Sequence, residues 1–277
     1  MSERAVRMTA GRPALLGDDE PEPFEVVNPE GAAPFLITCD HASARVPAAL
    51  EGLGLDDAVI QRHIGWDIGA AEVARRLSRR LDAPLVMSGY SRLVIDCNRE
   101  LDDPTSIPEI SDGVIIPGNR SLHPRAIEAR QAQLFQPYHN AVRAALKRFT
   151  DRGHAPGVIS MHSFTPVFKG DERPWHIGIL WNKDSRIPKP FIANLEPEPD
   201  VVVGDNEPYS GQDEYGYTIF NHAEAHGFPH VLIEVRQDLI DTQHGAAAWS
   251  ERIARTLGPA LLDDPSIYEA KDFREDA

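Results

Sequence analysis

Two histidines stand where a strand hands over to a loop. His41 follows the apolar run Pro34–Asp40 (PFLITCD), and His162 closes the apolar part of GVISMHS. Imidazole nitrogen is a favoured zinc ligand, and a catalytic zinc takes three protein ligands and leaves one place for water. Asp67, in the segment GWDIG, is the candidate third ligand; Asp40, His63 and His176 compete for that place. An aspartate at that point also suits the first turn of a helix, with no metal involved. Glu234 lies near the end of PHVLIEV. A carboxylate in so apolar a run loses hydration, its pKa rises, and it becomes a candidate general base. An ion pair with Arg236 is the other use open to it. SRLVIDCNRELDDP brings Arg92, Asp96, Asn98 and Arg99 together. A guanidinium holds a carboxylate through two parallel hydrogen bonds, so this cluster suits an anionic ligand. Glu100, Asp102 and Asp103 offer the same arginines ordinary salt bridges. VGDNEPYSGQDEYGYT, with Tyr209, Tyr215 and Tyr217, reads as a polar loop: a wall or lid for a site, or a solvated connection.

Positioning these residues requires strands that end side by side. Pro34–Asp40, Pro84–Ser88, Arg92–Cys97, Gly157–Ser163, Trp175–Trp181 and Pro229–Val235 read as strands. Ile64–Leu81, Pro124–Phe149, Asp213–His226 and Thr242–Leu257 carry helical patterns. Apolar strands alternating with helices predict an α/β fold, a mostly parallel mixed central sheet with helices on both faces. Ligands bind at the carboxyl ends of strands in such sheets. His41, Asp96, Asn98, Arg99, His162, Glu234 and Arg236 then converge. Residues 1–23, with mixed charge and a Pro-Glu-Pro segment, are expected as a loose arm before a single domain over residues 24–277.

With 28 Lys and Arg against 43 Asp and Glu, the net charge is −15, which argues against nucleic acid or an anionic membrane as partner. No apolar stretch reaches the ~18 residues of a membrane span, and the first residues have no secretory apolar core. Two cysteines in apolar runs point to a reducing cytoplasm. Walker, Gly-x-Gly-x-x-Gly, Gly-x-Ser-x-Gly and Cys-x-x-Cys motifs are missing, so nucleotide-driven, serine-hydrolase and dithiol chemistry lose their usual supports.

The blocks CDHASARVP, HIGWDIGA, SRLVIDCNR, MHSFTP, NEPYSG and HVLIEVRQDL, in this order, resemble the N-formylglutamate amidohydrolase family over about Phe35 to Leu257. That family is similar in turn to zinc carboxypeptidases and aspartoacylases. The resemblance implies a three-layer phosphorylase/hydrolase-like fold and one zinc ion. It implies His41 and His162 as ligands, Asn98 and Arg99 as the carboxylate-binding pair, and Glu234 as base. The wider relatives carry His-x-x-Glu; here Ala44 stands in the glutamate's place, so another carboxylate, Asp67, is expected to complete the site. Arg92 or Arg236 is expected on a second carboxylate or on the oxyanion.

The implied reaction is hydrolysis of the amide of a small anionic N-acyl amino acid, above all N-formyl-L-glutamate, to formate and glutamate in histidine degradation. A carboxypeptidase-like metallohydrolase acting on small peptides, or a binding protein that keeps the fold without the chemistry, are the alternatives. Oligomeric state is not legible in the sequence.

Overall fold

A computed structural model describes residues 14–212, 216–262 and 264–271. The chain starts with β1 (Phe24–Val27), β2 (Phe35–Cys39), α1 (Asp57–Ile60), α2 (Ala70–Leu81) and β3 (Leu85–Ser88). A small hairpin, β4 (Ile110–Ser111) and β5 (Val114–Ile115), precedes α3 (Pro124–Arg130) and α4 (Gln136–Thr150). Then come β6 (Gly157–Phe164), a second hairpin, β7 (Val167–Phe168) and β8 (Asp171–Glu172), and β9 (Ile177–Leu180). α5 (Pro188–Leu195), β10 (Val203–Asp205), α6 (Tyr217–His222), β11 (His230–Arg236) and α7 (Gln243–Leu262) complete it.

Seven strands form one sheet in the order β1-β3-β2-β6-β11-β9-β10. β3, β2, β6 and β11 run parallel, while β1 on β3 and β9 on β11 are antiparallel. The central strands are buried on both faces, as FLITC and GVISMHSF demand. α2, α5 and α7 cover one face; Val73, Leu77, Phe191, Ile253 and Leu257 pack there on Ile37 and Ile159. α4 and α6 cover the other, where Tyr138, Val142 and Ile219 meet Leu36, Val158 and Leu232. The expected three-layer α/β fold is thus present. No helix among the described residues is long and apolar enough to cross a membrane.

The chain leaves β2 for β3 on one side and later returns to β6 on the other. The sheet's switch point therefore falls between the carboxyl ends of β2 and β6, where a crevice opens.

Three expectations change. Arg92–Cys97 is no strand: Val94 N–H bonds the Ser91 carbonyl and Asp96 N–H the Ser106 carbonyl. The edge of β3 that it would join is already taken by β1. Leu93, Val94 and Ile95 instead bury in a separate cluster with Leu53, Ile116 and Phe135. The helix expected from Ile64 begins at Ala70, because 64–69 form a turn whose Gly69 has φ +80°. A Cβ there would stand 2.3 Å from the Ile240 carbonyl oxygen. Of the expected arm, residues 1–13 lie outside the described residues, as do residues 213–215 of the expected helix Asp213–His226. Residues 14–23 are fastened to the body: Leu15 is buried, and the Pro21 and Pro23 carbonyls accept bonds from the Tyr90 hydroxyl and Gly89 N–H.

Beneath the loop after β3, His139 on α4 donates from Nε2 to the Cys97 carbonyl at 2.8 Å. Its Nδ1 must then accept from His222 Nε2, 2.9 Å away on α6. Burial pushes His139 down to about 4 and His222 to about 3. The unfolded imidazoles protonate near pH 6.5, whereas the folded pair stays neutral until about pH 4. The unfolded chain then binds more protons between those values, so this contribution to stability is complete above pH 6.5 and is lost as pH falls. Urea unfolding at pH 7, 6 and 5 is expected to show a weaker pH slope for His222→Phe than for the wild type. The difference approaches ~1.4 kcal/mol per pH unit for one fully linked histidine. Identical slopes would contradict the neutral pair.

Candidate active site

At the end of β2, Asp40 and His41 are both buried, and Asp67 N–H bonds the His41 carbonyl at 3.0 Å, which fixes the turn before α2 against the strand. His162 lies on β6, in register with Glu234 of β11, so the two side chains share one face of the sheet. The loop after β3 supplies Arg92, Asp96, Asn98 and Arg99.

Each histidine has one nitrogen committed to a buried carboxylate. His41 Nε2 stands 2.7 Å from Asp96 Oδ1, and His162 Nε2 stands 3.1 Å from Asp40 Oδ2. The opposite nitrogens turn inward. His41 Nδ1 and His162 Nδ1 lie 3.3 and 2.9 Å from the same oxygen, Asp67 Oδ2. Burial alone would raise the Asp40 pKa, but the His162 hydrogen bond and the charges of His162 and His41 outweigh it and hold Asp40 at about 2. His41 and Arg92 likewise overcome burial and keep Asp96 ionised. Asp40 also accepts from the Tyr138 and Thr218 hydroxyls, each at 2.6 Å.

One ligand atom from each of His41, Asp67 and His162 lies within 4.8 Å of the other two. Ligands on one tetrahedral zinc, ~2.0 to 2.2 Å from it, sit about 3.4 Å apart, close to the 3.3 and 2.9 Å separations at Asp67. The donor set fits a divalent cation for a second reason. Four buried carboxylates, Asp40, Asp67, Asp96 and Glu234, gather near His41, His162 and Arg92, with the His63 ring 3.7 Å from Asp67 and its pKa lowered to about 4 by burial. Arg92 Nη1 approaches His41 Nδ1 at 3.1 Å, and Asp67 Oδ1 at 3.2 Å without hydrogen-bond alignment. Were His41 Nδ1 to ligate an ion, its lone pair would no longer be open to Arg92, which would keep Asp67 Oδ1 as its neighbour.

The family model for N-formylglutamate amidohydrolase matches residues 33–241. The chain belongs to that family. The crystal structure of a gene product from Agrobacterium tumefaciens is 36% identical, with a TM-score of 0.86 over 90% of this chain and 98% of that one. An N-formylglutamate amidohydrolase from Ralstonia eutropha, 20% identical, shares the fold with a TM-score of 0.62 over 86% of this chain and 97% of that one. No curated protein matches the chain.

Within this amidohydrolase fold the histidine cluster opens into a cavity of about 850 Å³. Glu234 lines it, 8% exposed, and its Oε2 has no hydrogen-bond partner. Burial, reinforced by the charge of Asp67, raises its pKa to about 7 against the opposing pull of His162 and Arg92. Arg99 also lines the cavity, and its guanidinium has no carboxylate partner among the described residues. Asn98 Oδ1 accepts the Thr218 N–H, which leaves the amide NH₂ to offer a ligand. Arg236 is not brought in: it pairs with Asp238 and leans on carbonyls of residues 173–175. The ion pair with Arg236, the alternative use of Glu234, is therefore not made.

Of the competing ligands, Asp40 stands behind His162. His176 lies at the surface, where its Nδ1 accepts the Val202 N–H. His63 stays 3.7 Å from Asp67 Oδ1, and burial lowers its pKa to about 4. Sequence reasoning missed Tyr138, Thr218 and Ser160, whose hydroxyls anchor the Asp40–His162 pair; they lie up to 178 residues from Asp40 and carry no local signal.

Divalent-ion affinity measures this arrangement. His162→Ala is expected to abolish stoichiometric binding. Asp96→Asn, with all three ligands retained, is expected to weaken it about 10- to 100-fold, as losses behind a metal-ligating histidine do. Unchanged affinity in Asp96→Asn would mean that His41 keeps its orientation without the carboxylate.

Proposed function

We propose that this chain is a zinc-dependent amidohydrolase that cleaves the amide of a small N-acyl amino acid, with N-formyl-L-glutamate, yielding formate and glutamate, as the reference substrate. The observation that carries this reading is Glu234: buried, with an oxygen free of partners, in the same cavity as the His41–Asp67–His162 cluster. The expected carboxylate in place of His-x-x-Glu has a counterpart in Asp67, which favours catalysis over a binding-only role. The free, buried Cys39 and Cys97 support a reducing cytoplasm as its location.

His41, His162 and Asp67 would hold the zinc, which when bound would supply a Lewis acid and lower the pKa of water to about 7. Glu234, poised near the same value, takes the proton of the attacking water and delivers it to the leaving amine nitrogen. Arg92 is braced by the His63 carbonyl at 3.0 Å and places its positive charge beside the cluster, where the carbonyl oxygen gains negative charge. Arg99, with the Asn98 amide, holds the α-carboxylate. This fixes the acyl carbonyl relative to Glu234 and turns binding into orientation.

Glu234→Gln keeps size and removes the proton acceptor. With zinc retained, kcat for N-formyl-L-glutamate is expected to fall about 10²- to 10⁴-fold; a near-wild-type kcat would leave Glu234 without a role as base.

Arg99 is tested on a pair of substrates, the acid and its α-amide. A charge-assisted hydrogen bond is worth ~1.5 to 3 kcal/mol, so Arg99→Ala is expected to lose about 10- to 100-fold in kcat/KM on the acid. Little should be lost on the amide, and Arg99→Lys should recover only part. Equal fractional losses on acid and amide would remove the carboxylate-clamp assignment.

A further inference from the structure

The outer half of the cavity differs in character from its floor. Its rim carries Ile110 of β4, Val167 and Phe168 of β7, and Tyr209, which are 63, 50, 39 and 40% exposed. These are among the few large apolar side chains that the described surface leaves in water, and four of them gather at one opening. Isolated exposed apolar residues are ordinary; a group of them at the mouth of a pocket marks a contact surface.

The aromatic side of that rim is built. Arg173 sits 9% exposed, with its guanidinium 4.6 Å from the Phe168 ring centre and 4.8 Å from that of Tyr209. It donates to the Tyr209 hydroxyl at 3.0 Å. No carboxylate among the described residues pairs with Arg173. The two rings are thereby held as a wall instead of hanging free in solvent.

The wall also has a known place relative to the base. Gly178 of β9 is the register partner of Glu234. A Cβ on Gly178 would lie 2.1 Å from the Glu207 carbonyl oxygen, so the segment that carries Tyr209 lies directly against the strand beside Glu234.

Size points the same way. N-formylglutamate has roughly a dozen non-hydrogen atoms, whereas cavities of ~300 to 1,000 Å³ enclose drug-sized ligands. At about 850 Å³ the cavity has room beyond the formyl group.

We infer that the Phe168–Tyr209 wall is an acyl-group subsite, and that the preferred substrate is an N-acyl amino acid with an apolar acyl group larger than formyl. This rests on the amidohydrolase reading above and extends it. The α-carboxylate is held at Arg99 and the scissile carbonyl lies at Glu234, so the acyl chain continues past Glu234 onto the aromatic wall. Formyl, with a hydrogen in that place, leaves the wall in water.

The test uses the zinc-loaded full chain and N-formyl-, N-acetyl-, N-hexanoyl- and N-benzoyl-L-glutamate, beside N-formyl-L-phenylalanine. A fully buried methylene is worth about fourfold in binding, and the wall is only part-covered. The kcat/KM of the hexanoyl and benzoyl substrates is therefore expected to exceed that of the formyl one by about 10- to 100-fold. Phe168→Ala should erase most of that gain, bringing the hexanoyl and benzoyl values down towards the formyl one. Calorimetric titration of the same acylglutamates into Glu234→Gln is expected to give the same ranking without turnover. Flat kcat/KM from formyl to hexanoyl overturns the subsite while leaving the amidohydrolase reading intact. A gain with N-formyl-L-phenylalanine alone would place the apolar group on the amino acid side and refute the acyl assignment. Hydrolysis of none of the five would overturn the amidohydrolase reading, and this inference with it.

Discussion

Two imidazoles, each turned by a buried carboxylate, set the geometry on which the site depends. Asp96 takes His41 Nε2 and Asp40 takes His162 Nε2, so both Nδ1 atoms face Asp67 Oδ2. Neither carboxylate is free to move. Asp40 is fastened by Tyr138 of α4 and Thr218 of α6, and Asp96 Oδ1 also accepts the Asn98 N–H. Breaking any of these takes one hydrogen bond from a buried ion, a larger loss than that of a bond between neutral groups. The layer of helices on one face of the sheet thus contributes to ring orientation as well as to the core.

The carboxylates divide by what remains unsatisfied. Asp40 and Asp96 spend their oxygens on donors and stay ionised behind the histidines. Asp67 and Glu234 each keep a buried oxygen with no hydrogen bond. Asp67 lies between two imidazoles and Arg92, which hold it ionised against the effect of burial. Glu234 has more desolvation than compensation, and its proton affinity rises into the neutral range. One residue suits a ligand and the other a proton carrier, although both are simple carboxylates; the surroundings decide.

Sheet topology explains why these residues meet. The switch in winding between β2 and β6 leaves their carboxyl ends open beneath no crossover, and β11, parallel beside β6, brings Glu234 alongside His162. Arg92 to Arg99 arrive by a different route, on a compact loop anchored in its own apolar cluster. His162 and Glu234 are therefore carried by strands of the central sheet, while Asp67, Arg92, Asp96, Asn98, Arg99 and Tyr209 come from loops and Phe168 from the β7–β8 hairpin.

Much of this was legible in the residues alone. Continuous apolar runs such as FLITC and HVLIEV read as buried strands, and the polar residues that close them fall at strand ends. His41, His162 and Glu234 could be named on that basis, and Asp67 as the carboxylate between them. The sequence also determined the fold class, since alternating strands and amphipathic helices leave few ways to cover a parallel sheet. It did not determine that RLVIDC would be a turn, because its apolar pattern is equally that of a strand; only the occupation of the β3 edge by β1 excludes it. It did not separate Arg92, which enters the cluster, from Arg236, which turns to Asp238. Nor could it say which nitrogen of each histidine faces inward, or that Tyr138 and Thr218 stand behind Asp40. Secondary structure follows from spacing within about ten residues, but hydrogen-bond partners 98 and 178 positions apart are chosen by packing, and packing exists only once the layers have closed.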